Sequence, residues 1–324
     1  MNEYDFPEIR RIRGKKTALA TMTDPSGTPC LAFPSFDGKG HVRHAFATRL
    51  GGVSTGQFAT MNLSFTRGDE PEHVAENYRR MAAVLGMRAE DVVCTHQTHT
   101  VNIRAVGKAD CGKGVTRERD YTDVDGLVTD EEGVVLACFW ADCVPLLFAD
   151  PKRRAIGVAH AGWRGTVSGM ARKMVQELQK RYGSRPSDLY AAIGPSVCAD
   201  CYEVSEDVAV RARDALWKLP AKKGFADFDV PGEAHSGSIL RQGKEEGKYL
   251  LDLHALNREM LLASGIPDTH IFITDICTCC NPELLFSHRV QGEPRGNLAA
   301  FLTLRQGKSL KKTKQENSVR HFLL

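Results

Sequence analysis

The chain has 324 residues, 42% of them hydrophobic and 26% charged, with ten cysteines and a formal net charge of +3. This composition is that of an ordinary globular protein, the length allows one large domain or two coupled ones, and the net charge is too small to indicate nucleic acid as a partner. The amino-terminal segment lacks the apolar region of a signal peptide, and no stretch approaches the ~18 apolar residues of a membrane span. We therefore expect a cytoplasmic protein without a membrane partner, whose cysteines are reduced or bound to metal.

The amino-terminal third of the chain predicts short strands followed by a helix. Residues 1–40 are punctuated by Gly and Pro and predict strands and turns. A strand at residues 44–48 leads to Arg49 and a loop with three glycines. The glycines allow the backbone to approach a ligand closely, and the guanidinium of Arg49 can bind an anion. An ordinary hairpin loop has the same pattern. Residues 71–85 predict an amphipathic helix that ends at Gly86.

Polar residues interrupt a predicted strand at residues 92–103. His96 and His99 are three positions apart, so a regular strand directs them to opposite faces and only one can join a shared site. Gln97 shares the face of His99. Because His99 ends a polar patch inside an otherwise buried strand, it is the better candidate for a ligand, although a lone structural histidine has the same spacing.

Two apolar runs predict a β-hairpin around residues 150–153, which suit a type I turn. If Ala149 faces Arg154, Cys143 lies opposite His160 on the same face, with Cβ atoms about 4.5–5.5 Å apart. A thiol and an imidazole at this distance predict either a metal site or an activated nucleophile. A buried cysteine beside a core histidine is the commoner outcome for an arbitrary pair.

The hairpin leads directly into the segment GWRG at residues 162–165 and a helix predicted over residues 166–182. Free backbone N–H groups at the start of this helix and the guanidinium of Arg164 form a candidate anion site. The remaining predicted elements are strands at 189–195, 271–274 and 299–304, helices at 205–217 and after Asp252, and a polar surface excursion at 220–248.

Several segments occur in the order found in one protein family. They are HAFATRLGGVS (44–54), MNLSF (61–65), HQTH (96–99), DVDGLVT (123–129), ADCVPLLFAD (141–150), VAHAGWRG (158–165), IGPSVCADCYEV (193–204) and LLFSHR (284–289). On these motifs the chain resembles the laccase-domain family, also called YfiH-like, whose members are named polyphenol oxidase or purine nucleoside phosphorylase. The resemblance extends from about Phe33 to Leu304.

The resemblance implies a zinc site formed by His99, Cys143 and His160. The implied fold class is α+β (α/β), a single YfiH-like domain with central mixed β-sheets flanked by helices. On this basis we divide the chain into an N-terminal extension at 1–32, a laccase-like catalytic domain at 33–304 and a basic tail at 305–324.

The resemblance also implies an activity, namely zinc-dependent phosphorolysis of adenosine, inosine and S-methyl-5′-thioadenosine, with adenosine deaminase activity beside it. The partners are then purine nucleosides and phosphate, with no nucleic acid, and the protein is a monomer or a weak homodimer. We assign Arg49, Gln97, Asp142 and Arg164 to the binding of substrate and phosphate. Trp163 and Phe46 are candidates for stacking on the purine, although core packing is the commoner role of such aromatic residues.

The histidine pattern bears on the choice of metal and of chemistry. A multicopper laccase needs many imidazole ligands, commonly in His-x-His pairs, and the chain has 11 histidines and no such pair. Copper at a single Cys/His/His site remains possible, because copper outranks zinc in affinity. The H-x-E and P-C-x-x-C signatures of the zinc deaminases are also absent, so deamination requires another proton carrier, for which Asp142 and Asp125 are candidates.

A second set of cysteines has spacings typical of chelation, Cys198-x-x-Cys201 and Cys277-x-Cys279-Cys280. The set predicts a structural zinc site, with buried reduced thiols as the alternative. Three rival functions also stay open: a copper-dependent polyphenol oxidase, a cysteine hydrolase in which His160 is the base for the nucleophile Cys143, and a non-catalytic zinc module that serves a partner.

Overall fold

A computed structural model describes residues 4–12, 14, 16–24, 27–219 and 239–305. The strands are β1 (Ala20–Thr23), β2 (Pro29–Ala32), β3 (Val42–Ala47), β4 (Val92–Cys94), β5 (Ile103–Ala105), β6 (Gly126–Thr129), β7 (Val135–Trp140), β8 (Val144–Asp150), β9 (Ala155–Ala161), β10 (Tyr190–Ile193), β11 (Glu203–Ser205), β12 (Leu240–Gln242), β13 (Lys248–Leu251), β14 (Ile271–Ile273) and β15 (Leu298–Leu304). The α-helices are α1 (Pro34–Gly40), α2 (Pro71–Val84), α3 (Trp163–Val167), α4 (Met170–Tyr182), α5 (Glu206–Trp217), α6 (Leu253–Ala263) and α7 (His288–Gln291).

The strands form three sheets. The first has the order β1-β2-β3-β15-β7-β4, the second β14-β10-β8-β9-β6-β5, and the third is the small sheet β11-β13-β12. The β4–β7, β5–β6 and β10–β14 pairs are parallel and the others antiparallel. These mixed sheets and their helices confirm the predicted fold class.

The hydrophobic core is divided among three interfaces. Phe46 and Leu136 of the first sheet pack against Val158 of the second, so that the two six-stranded sheets face each other. On the outer side of the first sheet, α2 packs through residues such as Tyr78, and α4 and α6 cover the outer side of the second sheet through residues such as Met174. Burial of each large apolar side chain contributes about 1.5–3 kcal/mol, so the layers are held together mainly by these interfaces.

Two connections cross from the first sheet to the second, and both differ from the sequence prediction. The strand predicted over residues 92–103 is two short strands, β4 and β5, in different sheets. The first long strand of the predicted hairpin is likewise divided into β7 and β8. The chain turns at His99, with a φ of 65°, and at Asp142, with a φ of 87°. Left-handed conformations of this kind end a strand, and for residues other than glycine the sequence pattern does not reveal them.

The hairpin of β8 and β9 forms around the predicted turn but in a different register. Asp150 pairs with Ala155 and Pro145 with His160, so the prediction that Cys143 lies directly opposite His160 is wrong. The loop has four residues, as predicted, but it is displaced by one position to residues 151–154, and Arg154 at its end adopts a left-handed φ of 52°. An aspartate at the start of such a turn is expected to accept local hydrogen bonds, and Asp150 does so: its Oδ1 accepts from the backbone N–H groups of Lys152 and Arg153 at 2.9 and 3.0 Å.

The helices follow the sequence pattern in most places. The predicted helix over residues 71–85 is α2, and Gly86 follows it with a φ of 69°. The helix predicted over 166–182 begins earlier and is interrupted at Gly169, so it is α3 followed by α4. The α1 helix was not predicted, because Pro34 was interpreted as a turn residue although it occupies the first turn of this helix.

The segments that the sequence analysis set apart are only partly described. Residues 1–32 contribute β1 and β2 to the edge of the first sheet. In the predicted excursion at 220–248, residues 220–238 lie outside the described residues, and β12 pairs with β13 in the remainder. The basic tail lies outside them after Arg305. None of the helices in the described ranges is both long and apolar enough to span a lipid bilayer.

Candidate metal centre and active site

Three side chains predicted as ligands converge where the chain passes between the sheets. The sulfur of Cys143 and one ring nitrogen each of His99 and His160 lie within 4.8 Å of one another. The imidazole rings have centroids 4.9 Å apart and planes at 77°. His160 comes from β9, Cys143 directly precedes β8, and His99 lies in the connection between β4 and β5. The site therefore forms from three separate segments, although the register used to predict it was wrong.

Asp125 positions both histidines. Its carboxylate is fully buried, and Oδ1 accepts from the His160 ring Nδ1 at 2.8 Å and from the His99 backbone N–H at 3.1 Å. Oδ2 accepts from the backbone N–H groups of Thr98 and Thr100, both at 3.0 Å, and from the Thr100 hydroxyl at 2.9 Å. Because Nδ1 of His160 is engaged, its Nε2 is the nitrogen that it can offer to a ligand.

These five hydrogen bonds occupy the roughly four lone-pair positions of a carboxylate. Burial alone disfavours the charged form of Asp125, but the hydrogen bonds from His160 and the backbone outweigh it and hold its pKa below the ordinary value. Asp125 is therefore a carboxylate that orients the two histidines, and it is not free to carry protons as the sequence analysis suggested.

The electrostatics of Cys143 and His160 are coupled. Burial raises the pKa of the Cys143 thiol, but His160 and His99 beside it outweigh burial and lower this pKa from 9.0 to about 6. Burial also disfavours the charged form of His160, while the Cys143 thiolate and Asp125 raise its pKa to about 9. Between these values the metal-free pair is a thiolate and an imidazolium, and the thiolate is the form of cysteine that binds metals.

The residues fit a zinc ion. One cysteine and two histidines are a donor set that zinc takes in catalytic sites, where a fourth position stays open. Gly162 keeps this site free of a further side chain: a Cβ at residue 162 would lie 2.8 Å from the Cys143 sulfur and 3.2 Å from Cδ2 of the His99 ring. Among the predicted motifs, the first glycine of GWRG therefore serves the close packing of the site.

A first cavity of about 290 Å³ opens on the three side chains. Phe65 and Phe139 line it with partly buried aromatic rings, and Gln97 lines it as well. The Gln97 amide donates to the Phe139 carbonyl at 2.8 Å and accepts from the Phe139 N–H at 2.6 Å. Gln97 thus fixes the His99 connection to β7, and it also lines the cavity as predicted for a substrate-binding residue.

A second cavity of about 590 Å³ adjoins two of these side chains, His99 and Cys143, and is rich in arginine. Its lining contains the guanidinium groups of Arg67, Arg164, Arg289 and Arg295. Arg67 and Arg295 line the first cavity as well, together with His99 and Cys143. The two cavities therefore meet at the predicted metal ligands.

Arg295 is the most unusual of these arginines, since it is only 5% exposed and its Nε has no hydrogen-bond partner. Its Nη1 donates to the Gly296 carbonyl at 3.0 Å and to the Asn297 side chain at 2.5 Å. Burial and then the nearby charge of Arg67 lower the pKa of Arg295 from its ordinary value. The Glu293 carboxylate, which pairs with Arg67 and lies 3.8 Å from Nη2 of Arg295, supplies part of the opposing charge. The Nε of Arg295 is still without a partner, and an anion would add to the stabilisation of this pair of cations.

Asp142 is placed between the second cavity and two loops. Its Oδ1 accepts from the Thr278 hydroxyl at 2.6 Å and its Oδ2 from the Arg289 backbone N–H at 2.7 Å. The carboxylate is 7% exposed and lines the second cavity. It holds the loop before Cys143 in place, and both oxygens are already engaged, which leaves it poorly suited to carry protons.

Two residues predicted at the site lie elsewhere. The Arg49 guanidinium donates to the backbone carbonyls of Ala59 and Pro282 at 3.1 and 2.7 Å and lies over the Phe286 ring, and it lines neither cavity. Phe46 is fully buried in the core between the sheets. The Arg49 side chain therefore connects two loops of the protein, and the glycine-rich segment after it packs against other parts of the chain and does not line either cavity.

Arg164 and Trp163 do line the second cavity. The guanidinium of Arg164 lies over the Trp163 ring, 4.4 Å from its centroid. The sequence analysis did not identify Arg67, Arg289 or Arg295. Two of them lie in or beside quoted motifs, since Arg289 ends LLFSHR and Arg67 closely follows MNLSF, whereas the short segment around Arg295 carries no motif.

Comparison with known proteins identifies the family. A family model described as "Multi-copper polyphenol oxidoreductase laccase" matches residues 43–305. The chain belongs to this family. This confirms the resemblance inferred from the motifs. The match ends at Arg305, one residue after β15.

Relatives within and around this family have been named for activities on nucleosides. The purine nucleoside phosphorylase YlmD of Geobacillus stearothermophilus is 39% identical over 80% of this chain and 89% of its own length. Adenosine deaminase RL5, from an unidentified prokaryote, is 31% identical over 76% of this chain and 88% of its own length. The crystal structure of the hypothetical protein YfiH from Bacillus licheniformis is similar with a TM-score of 0.75 and 33% identity, covering 85% of this chain and 96% of that one.

Proposed function

We propose that this chain is a zinc-dependent purine nucleoside phosphorylase that acts on adenosine, inosine and S-methyl-5′-thioadenosine and also deaminates adenosine. The observation that carries the proposal is the position of Arg295, a 5% exposed arginine with an unpaired Nε, which lines the same cavity as the Cys/His/His set. A site that joins a metal donor set to an anion site fits a reaction between phosphate and a nucleoside. The names of the relatives agree with this reaction.

Phosphorolysis breaks the bond between C1′ of the ribose and the purine nitrogen, forms a bond between C1′ and a phosphate oxygen, and delivers a proton to the departing base. Phosphate must therefore lie beside the ribose. Arg67 and Arg295 line both cavities, so an anion that they bind borders a ligand in either one. Arginine suits this role because its planar guanidinium binds phosphate oxygens in pairs.

The nucleoside is assigned to the first cavity. Its 290 Å³ is at the lower end of the volumes of small-molecule sites, and Phe65 and Phe139 offer aromatic rings for a purine. Phe65 is itself stacked on Tyr78, with centroids 5.7 Å apart and planes at 4°, which fixes the orientation of its ring. We assign the stacking role to these two residues in place of Trp163 and Phe46.

His99, Cys143 and His160 would hold the zinc ion, and when bound it supplies a Lewis acid that stabilises developing negative charge and favours ionisation of water. The chain's own contribution is to fix the ligands: Asp125 sets the orientation of His160 and the backbone of His99, and Gly162 leaves room beside the sulfur. Copper can occupy the same donor set. A multicopper centre has less support, because among the described residues the groups placed to bind metal contain histidine only at this site.

The proposal is tested by incubating the purified protein with adenosine or inosine, with and without phosphate. We expect ribose 1-phosphate and free base only with phosphate, and inosine from adenosine as a slower product. Cys143→Ala should abolish both reactions, whereas Cys111→Ala, which changes a thiol that lines neither cavity, should leave them unchanged. No turnover of any nucleoside by zinc-loaded protein would contradict the proposal.

A cysteine hydrolase is the second candidate, and one observation favours it. Cys143, His160 and Asp125 form a thiolate, an imidazolium and an orienting carboxylate, the arrangement used by cysteine nucleophiles. Product release that needs no phosphate, persists in metal-free protein and is blocked by a thiol alkylator would favour the hydrolase.

For the proposed phosphorylase we also propose a cytoplasmic location and a monomeric or weakly dimeric state.

A further inference from the structure

A second group of side chains lies outside the proposed active site and is not used by the proposed reaction. Cys198 and Cys201 lie in the loop after β10, and Cys277 and Cys280 lie in the loop after β14. Because β10 and β14 are parallel neighbours, both loops leave the second sheet at the same edge. The two C-x-x-C segments are thereby brought together.

The four sulfurs lie close enough together to surround one metal ion. All four lie within 4.8 Å of one another, and the sulfur of Cys280 is 4.0 Å from that of Cys198 and 3.5 Å from that of Cys201. Four sulfurs placed 2.3 Å from a central zinc ion are separated by about 3.8 Å. The measured separations lie on either side of this value, and they are far longer than the roughly 2.05 Å of a disulfide bond.

Two backbone N–H groups are also directed at one of these sulfurs. The N–H groups of Cys198 and Cys280 both point to the Cys277 sulfur, at 3.2 and 3.4 Å. Donors of this kind stabilise a thiolate. Cys198 and Cys277 are buried and the other two sulfurs partly buried, so a bound ion would be largely enclosed by the protein.

We propose that Cys198, Cys201, Cys277 and Cys280 bind a structural zinc ion, distinct from the ion of the proposed active site. Two C-x-x-C segments that supply four sulfurs are a donor set of closed, structural zinc sites. A redox-active dithiol needs only two cysteines, and it does not require four sulfurs at tetrahedral separations. Cys279, which the spacing also suggested, is not one of the four.

The site has a structural consequence for the proposed active site. The Val197 N–H, beside Cys198, donates to the Asp142 carbonyl at 3.1 Å, and the Thr278 hydroxyl, beside Cys277, donates to the Asp142 carboxylate at 2.6 Å. Both cysteine loops therefore contact the residue that precedes Cys143. Zinc in this site would join the two loops and support that residue.

The experiment is a count of zinc by elemental mass spectrometry on the full chain, purified without added metal. We expect two zinc ions per chain in the wild type, one in Cys201→Ser/Cys280→Ser and one in His99→Ala/Cys143→Ala. Cys279→Ser, the matched control, should keep both. One zinc ion in the wild type that disappears in His99→Ala/Cys143→Ala would overturn the proposal.

A second measurement tests the proposal even if Cys201→Ser/Cys280→Ser fails to fold. X-ray absorption at the zinc edge of His99→Ala/Cys143→Ala should show four sulfur neighbours at about 2.3 Å. Nitrogen or oxygen neighbours, iron in place of zinc, or a disulfide among these cysteines by mass spectrometry would overturn the proposal. Because neither measurement uses turnover, an inactive protein with two zinc ions would refute the proposed activity alone.

Discussion

The two candidate metal sites of this protein are built in opposite ways. His99, Cys143 and His160 come from three segments between the two large sheets, adjoin two cavities, and rely on Asp125 for orientation. The four-cysteine site is formed by two loops at one sheet edge, and it has four sulfurs and backbone N–H donors. The comparison shows two ways to position ligands. In a site that is open to a cavity, other side chains must hold the ligands in place. In an enclosed site, the C-x-x-C spacing within each loop is enough to place the four sulfurs.

The largest expected effect is that of Gly162→Ala. A Cβ there would lie 2.8 Å from the Cys143 sulfur, so the ligands must move apart. We expect at least a roughly 100-fold loss of phosphorolysis, since small displacements of reacting groups have effects of this size, and loss of one of the two zinc ions. Activity and zinc content are measured together. Gly38→Ala, at a position with nothing within 4 Å, is the matched control, and normal activity in Gly162→Ala would contradict the site geometry.

Asp125→Asn should weaken the open site and leave the closed one intact. The amide cannot accept all the hydrogen bonds that hold His99 and His160, and loss of such an orienting carboxylate typically costs about 10- to 100-fold in metal affinity. The affinity is measured by competition with a chromophoric chelator. Asp188→Asn removes a carboxylate that pairs with Lys152 on the surface and serves as the control. A loss of zinc from the four-cysteine site in Asp125→Asn would show that the two sites are not independent.

The pH dependence of Cys143 distinguishes its environment from that of an ordinary thiol. Its pKa is lowered to about 6, so in metal-free protein the thiolate predominates above this pH and is protonated below it. Alkylation of Cys143 should therefore slow about tenfold between pH 7 and pH 5, because the thiolate is the reactive form. The rate is followed by peptide mass spectrometry. In His160→Ala the midpoint should move upward, and a midpoint near 9 in the unmodified protein would refute the proposed ion pair.

The smallest expected effect is that of Thr278→Val, which alters the contact between the two regions. The variant leaves Oδ1 of Asp142 without its donor, and loss of a hydrogen bond to a charged group costs about 1–3 kcal/mol of unfolding free energy. We expect this loss in denaturant unfolding, with a decrease in activity of a few-fold and both zinc ions retained. An unchanged unfolding free energy would mean that the contact does not join the cysteine loop to the active site.

The sequence was sufficient for much of the fold and for the choice of the three side chains that converge at the open candidate site. Apolar periodicity predicted α2, and Gly86 marked its end. The register of the β8–β9 hairpin was wrong by one pair, because the four-residue loop lies one position further along the chain than predicted and ends at Arg154, whose left-handed backbone the sequence pattern does not reveal. The three ligands still converge, because Asp142 turns the chain just before Cys143 and carries its sulfur toward the histidines.

The site proposed for phosphate could not be predicted from the sequence, and the reason is physical. Arg49 was chosen because it precedes a glycine-rich loop, but its guanidinium binds two backbone carbonyls. Arg295 has no such setting in the sequence, and what distinguishes it is burial together with an unpaired donor. Burial depends on the packing of distant segments, so only the folded structure could separate these two arginines.

The connections that carry His99 and Cys143 each join one large sheet to the other. An ion held by these residues and by His160 therefore fastens the layers of the sandwich to each other as well as preparing a reaction. Its binding energy then opposes their separation: at a free metal concentration a thousand times the dissociation constant, the gain is about 4 kcal/mol. If the site holds such an ion, the thermal stability of the protein depends on the metal supply, and removal of the metal lowers the free energy of unfolding even without substrate.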